Sequence, residues 1–463
     1  MPADQRSARL DKVFKAYDIR GITPDELDED LARAVGRAFA ALTGAKAVAI
    51  GQDMRPSSDP LAEALADGIN SQGADVVRVG LCSTDMLYFV AGHLDMPGIM
   101  LTASHNPAQY NGLKLCRAGA VPIGQDTGLS ELRRMVEAGE PGADAATRGS
   151  VSRRDDLLTA YAAHVRSFAD ASALRPLKVV VDAGNGMAGH VLPVIFGGGD
   201  GIDALPFELV PMYFELDGTF PNHPANPIEP ENMADLQARV VAEGADVGLA
   251  FDGDADRVFL VDEKGAIVPS SLVGAVVAAT MIEREPGATI LYNLICSHIV
   301  PETIESAGGK PVMTRVGHSF IKQVMADTGA AFGAEHSGHY YFRDNYRADS
   351  GLIAALVTLD VLSRAGKPLS EVLAPYDVYS SSGEVNRRID GDPADVIKQV
   401  AAAFPAEAAD WTDGLTVQGD GWWFNLRPSN TEPLLRLNAE AGSEAEMVRV
   451  RDDILARIGG QPA

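Results

Sequence analysis

Apolar and polar positions along this chain fall into blocks that recur three times. The first block has apolar runs at 47–53, 73–80 and 98–101, the last entering Thr102-Ala103-Ser104-His105-Asn106-Pro107. The second has runs at 178–182, 207–211 and 246–250, the last entering Asp252-Gly253-Asp254-Ala255-Asp256-Arg257. The third has runs at 289–293, 310–317 and 331–335, the last entering Gly333-Ala334-Glu335-His336-Ser337-Gly338-His339. Each block reads as strand, polar loop, helix, strand, helix, strand, polar loop. Strands that alternate with helical stretches imply α/β sheets. Each third strand ends in a different polar signature, so three chemical tools occupy equivalent loops of three similar domains.

Past Val378 the pattern changes. A serine-rich loop leads to a strand, then to a helix near 395–404. Trp422 to Leu426 reads as a strand, 427–433 as a loop and 434–438 as another strand. Residues 443–458 read as an amphipathic helix, with Ser443 and Glu446 spaced as a capping box. This is a smaller α+β domain.

At 463 residues the chain is too long for one core. Its longest apolar runs, such as Leu272 to Ile282, are too short to span a bilayer. The first residues lack the charged-then-apolar pattern of a signal peptide. Three cysteines, Cys82, Cys116 and Cys296, make neither an even framework nor a metal spacing, which points to a reducing cytoplasm. A net charge of −25 argues against nucleic acid as a partner. It also makes a phosphorylated substrate an uphill ligand, so a site for one must concentrate cations and N–H donors locally.

Ser104 lies just past the carboxyl end of a buried strand, where open α/β sheets place their chemistry. Asp252, Asp254 and Asp256 alternate with small residues, and in extended backbone such positions share a face. Three carboxylates there suit a hard cation such as Mg²⁺. An EF-hand would also begin D-x-D-x-D, with Glu263 at its twelfth position. Its sixth position would be Arg257 where glycine is needed, and 258–261 reads as a strand. A hydroxyl nucleophile plus a divalent-cation site suggests phosphoryl transfer through a phosphoserine. Arg427-Pro428-Ser429-Asn430-Thr431-Glu432-Pro433 is dense in phosphate donors. Glu335, with Ser337 and two imidazoles, suits a sugar's vicinal diol. A metal reading of His336 and His339 finds no third ligand at good spacing.

These four loops, with Phe14-Lys15-Ala16-Tyr17-Asp18-Ile19-Arg20-Gly21, resemble the α-D-phosphohexomutase superfamily, most closely its bacterial phosphomannomutase/phosphoglucomutase branch. The resemblance covers the whole chain, with the loops in family order. It implies three similar mixed-sheet α/β domains and a smaller TATA-binding-protein-like domain around a central cleft, divided as 1–150, 151–265, 266–373 and 374–463. It implies that Ser104 is the phosphoserine, and that Asp252, Asp254 and Asp256, joined by Ser104, hold Mg²⁺. Lys114 and Arg20 then approach the reacting oxygens, His105 adjoins them, and His339 is the candidate for proton transfer. Tyr17, Arg257, His318, Glu335 and Ser337 contact the substrate. Arg427, Ser429, Asn430 and Thr431 dock the phosphate that is not transferred.

The implied activity is isomerisation of hexose 1-phosphates to 6-phosphates, of mannose or glucose, in cytoplasmic carbohydrate metabolism. Hexose 1,6-bisphosphate is the implied intermediate and activator, and a monomer or homodimer the implied assembly. Glu335-His336-Ser337 departs from the Glu-Gln-Ser usual in the glucosamine branch, which leans away from phosphoglucosamine mutase. A metal-dependent sugar phosphatase and a non-catalytic sugar-phosphate sensor are the rival classes.

Overall fold

The computed structural model describes residues 3–154, 156–199, 201–389, 391–428 and 434–462, with side chains except at 3–6 and His318. Its first three sheets share one strand order. In the first, Ala47–Gln52 lies between Asp75–Leu81 and Gly98–Leu101, both parallel to it, and Tyr110–Arg117 adds antiparallel to Gly98–Leu101. In the second, Leu177–Asp182 lies between Phe207–Met212 and Val247–Phe251, and Val258–Asp262 closes antiparallel. In the third, Thr289–Asn293 lies between Lys310–Thr314 and Phe332–Ala334, and Tyr340–Phe342 closes antiparallel. The threefold repeat read from the sequence is therefore a repeat of topology.

The third strands Gly98–Leu101, Val247–Phe251 and Phe332–Ala334 are buried along their whole length. A strand covered on both faces reads as an unbroken apolar run, and this is why the repeat shows in the sequence. The fourth, antiparallel strand of the first unit is less legible, because Asn111, Lys114 and Arg117 interrupt it. The first sheet is also widened by Ile19–Ile22, Val121–Pro122 and Val151–Arg153. Ile19–Ile22 pairs with Tyr110–Arg117, Arg20 opposite Gly112, and so carries the N-terminal motif to the Ser104 loop.

One apolar core runs through all three units, joining Phe89 and Met100 to Tyr161, Val181 and Phe196 and on to Phe332, Tyr340 and Leu356. At its centre the buried Asp85 carboxylate accepts hydrogen bonds from Ser83, Ser350 and, at 2.5 Å, Tyr161, so residues of three units meet on one group. Burial pushes this carboxyl up to about 6.

The C-terminal sheet is antiparallel throughout, in the order Ala409–Asp410, Leu415–Gln418, Trp422–Pro428, Leu434–Ala441, Ser380–Arg388, Gln461–Pro462. Its own core joins Phe424, Leu426, Leu435 and Leu437 to the helices Pro393–Ala401 and Glu444–Ile458. Ser443 caps the second helix by accepting the Glu446 N–H at 3.4 Å. Three expectations change here. The serine-rich stretch is the start of a strand, irregular between Ser381 and Glu384, instead of a loop. Arg427 belongs to a strand too, because pairing continues to Pro428 opposite Leu435. The first helix ends at Ala401, short of residue 404. Among the described residues no helix is long and apolar enough to cross a membrane.

Candidate active site

After Leu101 the chain turns sharply. The Thr102 hydroxyl accepts the Ser104 N–H at 2.9 Å, and the Ala103 carbonyl accepts the Asn106 N–H at 2.9 Å. Ser104 takes φ +50°, the left-handed region. For a residue other than glycine this costs roughly 1–3 kcal/mol and persists only where the surroundings enforce it. The turn aims Ser104 Oγ at the second unit, where it donates to Asp252 Oδ2 at 2.7 Å across a sequence separation of 148. A Cβ on Gly253 would lie 2.4 Å from the Ser104 carbonyl oxygen. The Ser104 loop and the carboxylate loop therefore touch backbone to backbone, and glycine is required there.

Asp252, Asp254 and Asp256 do converge, but not as one face of an extended strand. Residues 252–256 form a turn with Ala255 at φ +60°, and the turn gathers one oxygen from each carboxylate within 4.8 Å of the others. Lys114 Nζ reaches Asp254 at 2.7 Å and Asp256 at 2.6 Å, and Arg257 reaches Asp252 at 2.8 Å. Thr84, at the start of the helix Thr84–His93, donates its hydroxyl to Asp254 at 2.5 Å. Asp254 Oδ1 and Asp256 Oδ1 are buried without a hydrogen-bond donor among the described residues. Unsatisfied buried carboxylate oxygens in such a cluster fit a hard divalent cation. Burial and the neighbouring Asp254 charge raise the Asp256 carboxyl. Burial would raise Asp254 as well, but the Lys114 ammonium more than offsets it and holds that carboxyl low. The EF-hand alternative fails, because Val258–Asp262 is a strand and Glu263 accepts the Ser370 N–H at 3.0 Å, away from the cluster.

His105 Nδ1 lies 3.2 Å from Ser104 Oγ and contacts the Arg257 guanidinium. Burial, with Arg257 next, depresses this imidazole well below its ordinary range, so it is neutral. Arg20 donates to Asn106 Oδ1 at 2.6 Å and pairs with Asp18. His339 is bridged to Arg257 through the backbone, and its Nδ1 lies 2.9 Å from Asp349 and 3.9 Å from Asp256. Those carboxylates raise it against the opposing effect of burial. Asp256, His339 and Asp349 gather from distant parts of the chain. His336 is not part of this group, so the two histidines do not share a ligand set. Lys322 lies behind Asp349 at 2.8 Å.

The cleft has two lobes of about 1360 and 1010 Å³, which meet at His105, Arg257 and His339. Tyr17, Arg20, Ser104 and Lys114 line the first. Glu335, His336, Ser337 and Arg427 line the second. Glu335 is already engaged: Oε1 accepts the Gly317 N–H at 3.0 Å and Oε2 accepts the Tyr341 hydroxyl at 2.7 Å. Oε1 also accepts the Asn293 side-chain amide at 3.2 Å, so the lone pair left for a further donor is on Oε2. His336 faces Asn293 at 3.0 Å and is depressed to about 3 by burial and by Arg427. A Cβ on Gly317 would lie 2.8 Å from Tyr17 Oη, so Tyr17 reaches the loop that begins the helix His318–Thr328. Arg427 stands opposite Arg436 on neighbouring strands, and Glu384 lies between them at 3.0 and 3.4 Å. Ser429, Asn430 and Thr431 lie outside the described residues, as does the His318 side chain.

Arg55, Thr84, Lys322, Asp349, Glu384 and Arg436 were not legible as site residues. The repeat held one unused signal. In each unit the first strand ends in or runs into a polar residue, Asp53, Asp182 or Asn293, which bonds to a loop side chain, Arg55, His223 or Glu335.

Four domain models of the phosphoglucomutase/phosphomannomutase family match the chain. The alpha/beta/alpha domains I, II and III match residues 11–142, 159–265 and 269–379, and the C-terminal domain matches 384–457. A Xanthomonas campestris pv. campestris protein described as phosphohexose mutases is 41% identical, covering 96% of this chain and 98% of its own. A phosphomannomutase of Escherichia coli K12 is 40% identical, covering 96% and 98%. The crystal structure of a phosphoglucomutase/phosphomannomutase family protein from Burkholderia thailandensis superposes with a TM-score of 0.86 at 33% identity, covering 99% of both chains.

Proposed function

The chain belongs to the phosphoglucomutase/phosphomannomutase family of the α-D-phosphohexomutase superfamily, and from that premise we propose that it interconverts hexose 1- and 6-phosphates of mannose or glucose through a phosphoserine at Ser104. The enzyme class, an intramolecular phosphotransferase, follows from its relatives. The observation that carries the finer reading is the hydrogen bond from Ser104 Oγ to Asp252, which puts a serine hydroxyl against the carboxylate cluster.

In this reading a sugar hydroxyl attacks the phosphorus on Ser104, the bond from phosphorus to Oγ breaks, and His339 takes the hydroxyl proton. The resulting hexose 1,6-bisphosphate turns over in the cleft, and its other phosphate returns to Ser104. Asp252, Asp254 and Asp256 are the residues that would hold Mg²⁺, which offsets charge on the transferring group when bound. Arg257, Lys114 and Arg20 supply fixed positive charge around the same oxygens. Glu335 and Ser337 meet the sugar hydroxyls, and Tyr17 and His318 also contact the substrate. Arg427, Ser429, Asn430 and Thr431 hold the idle phosphate. The division at residues 150, 265 and 373 gives each loop its own domain, although the strand Val151–Arg153 pairs into the first sheet. Cys82, Cys116 and Cys296 are buried free thiols, which suits a cytoplasmic enzyme.

The test is a coupled assay on mannose, glucose and glucosamine 1-phosphates with Mg²⁺ and bisphosphate activator, following 6-phosphate and inorganic phosphate together. The expected result is mannose or glucose 6-phosphate without matching release of inorganic phosphate. Steady phosphate release would establish the phosphatase reading instead. Fastest turnover of the glucosamine ester would overturn the sugar preference, and binding without conversion would leave only a sensor.

A further inference from the structure

Arg55 lies beneath the nucleophile loop, with its side chain and that of Asp53 fully buried. Every N–H of its guanidinium is used. Nε donates to Asp53 Oδ2 at 3.1 Å. Nη1 donates to the carbonyls of Pro107 at 2.8 Å and Tyr110 at 2.9 Å. Nη2 donates to the carbonyls of Ser104 at 2.9 Å and Asn106 at 2.7 Å. Five donors in a planar fork are what arginine offers, and lysine has three. Asp53 is itself anchored. It accepts the Ser58 hydroxyl at 2.6 Å, and that hydroxyl accepts from Asn111 at 2.9 Å, on the strand that carries Lys114.

We propose that Arg55 is a positioning residue for phosphoryl transfer, holding the 104–110 backbone so that the Ser104 side chain faces the Asp252 cluster. The proposal rests on Ser104 as the phosphoryl carrier. Ser104 sits at φ +50°, and a left-handed serine needs outside restraint to stay there. Its carbonyl is clamped between the Arg55 guanidinium on one side and Gly253 on the other. That clamp sets the peptide plane from which Ser104 Oγ and the His105 ring both project. The arginine also spans two units, because its guanidinium lies 5.1 Å from the Phe220 ring centroid and a Cβ on Gly218 would fall 2.5 Å from Arg55 Cα. It lines neither lobe of the cleft, so it has no part in holding sugar or phosphate.

The test compares wild type with Arg55→Lys and Arg55→Met in the full-length enzyme. Phosphate on Ser104 is quantified by peptide mass spectrometry, and turnover is expressed per phosphorylated site. Arg55→Lys keeps the charge but cannot satisfy four carbonyls and Asp53 together. Its kcat per phosphorylated site should fall roughly a hundredfold, the effect of displacing a reacting group by about 1 Å. KM should stay within about threefold, because ground-state binding is untouched. Arg55→Met should fall further. If Arg55→Lys does not fold by circular dichroism, Phe220→Leu takes its place, with kcat expected to drop about two- to fivefold on loss of the ring beneath the cation. Unchanged kcat per phosphorylated site, a loss confined to KM, or no effect of Phe220→Leu in that second case would overturn the proposal. Wild-type phosphate found on a residue other than Ser104 would overturn the underlying reading instead.

Discussion

Around Ser104 the charged groups are buried and paired, whereas around Arg427 they face an open lobe. The side chains of Asp252 and Asp254 are 0% exposed, that of Arg257 5% and that of Lys114 12%, while those of Arg427, Glu384 and Arg436 are 13%, 27% and 33% exposed. The surroundings differ in the same way. The units that carry Ser104 and the carboxylates share one apolar core. The C-terminal domain has its own, and meets the third unit through polar contacts such as Asp413 to the Val316 N–H at 3.1 Å and Glu440 to the His298 N–H at 2.9 Å. A small apolar cluster of Leu294, Ile295 and Trp423 completes that contact. A phosphoryl-transfer centre gains from dipoles and charges fixed in a dry site, where they need no reorganisation. A docking site that must accept either end of a hexose bisphosphate needs exposure and tolerance. The two halves of the cleft match those two demands.

The sharpest way to break this contrast is to remove the proposed carrier. Ser104→Ala should lower mutase turnover by at least about a thousandfold while the fold, read by circular dichroism, stays intact. Gly253→Ala comes next. Its Cβ would meet the Ser104 carbonyl at 2.4 Å, and backbone cannot yield cheaply. Overpacking of this kind costs roughly 1–3 kcal/mol of stability, and displacement of the serine should cost about a hundredfold in kcat. Gly442→Ala is the matching control in the C-terminal domain, where an added Cβ meets nothing within 4 Å, and it should leave both activity and Tm unchanged.

Asp254→Asn removes one ligand charge from the cluster. It should raise the Mg²⁺ concentration needed for half-maximal activity by tens of fold, read from a metal titration after chelation. Unaltered activity at low Mg²⁺ would remove the cluster from the metal role. Arg427→Ala should have the smallest effect, since Glu384 already shares its charge. Loss of a charge-assisted contact at the low end, about 1.5 kcal/mol, corresponds to about tenfold in KM. The shift should be similar for 1-phosphate and 6-phosphate substrates. A shift for only one isomer would mean separate sites for the two phosphates and would end the symmetry on which the docking half is understood.

What could be read in advance follows from the same contrast. Ser104, Asp252, Asp254, Asp256 and Glu335 stand at the ends of strands buried on both faces, so an apolar run announces each of them. Arg55, Asp349 and Lys322 carry no such announcement. Arg55 reaches Ser104 across 49 positions, and Lys322 meets Asp349 only where a helix packs behind the third sheet. Their roles exist only once loops far apart in sequence are brought together. The carboxylate cluster was legible for the wrong geometric reason, because alternation suggested a flat strand and the chain instead turns at Ala255. Arg427 was expected in a loop as the first residue of the donor-dense run 427–433, but the strand continues to Pro428, and a strand can end in proline where no further ladder N–H is needed.

In the proposed mechanism a single serine carries the phosphoryl group between the two ends of the sugar. It is tested most directly by incubating the full-length enzyme with Mg²⁺ and hexose 1,6-bisphosphate, quenching within one turnover, and mapping phosphate by peptide mass spectrometry. One phosphate per chain on the peptide containing Ser104, lost on addition of hexose 1-phosphate at the rate at which bisphosphate appears, is the predicted result. Full mutase turnover with Ser104 unmodified, or with phosphate on any other residue, would contradict the account.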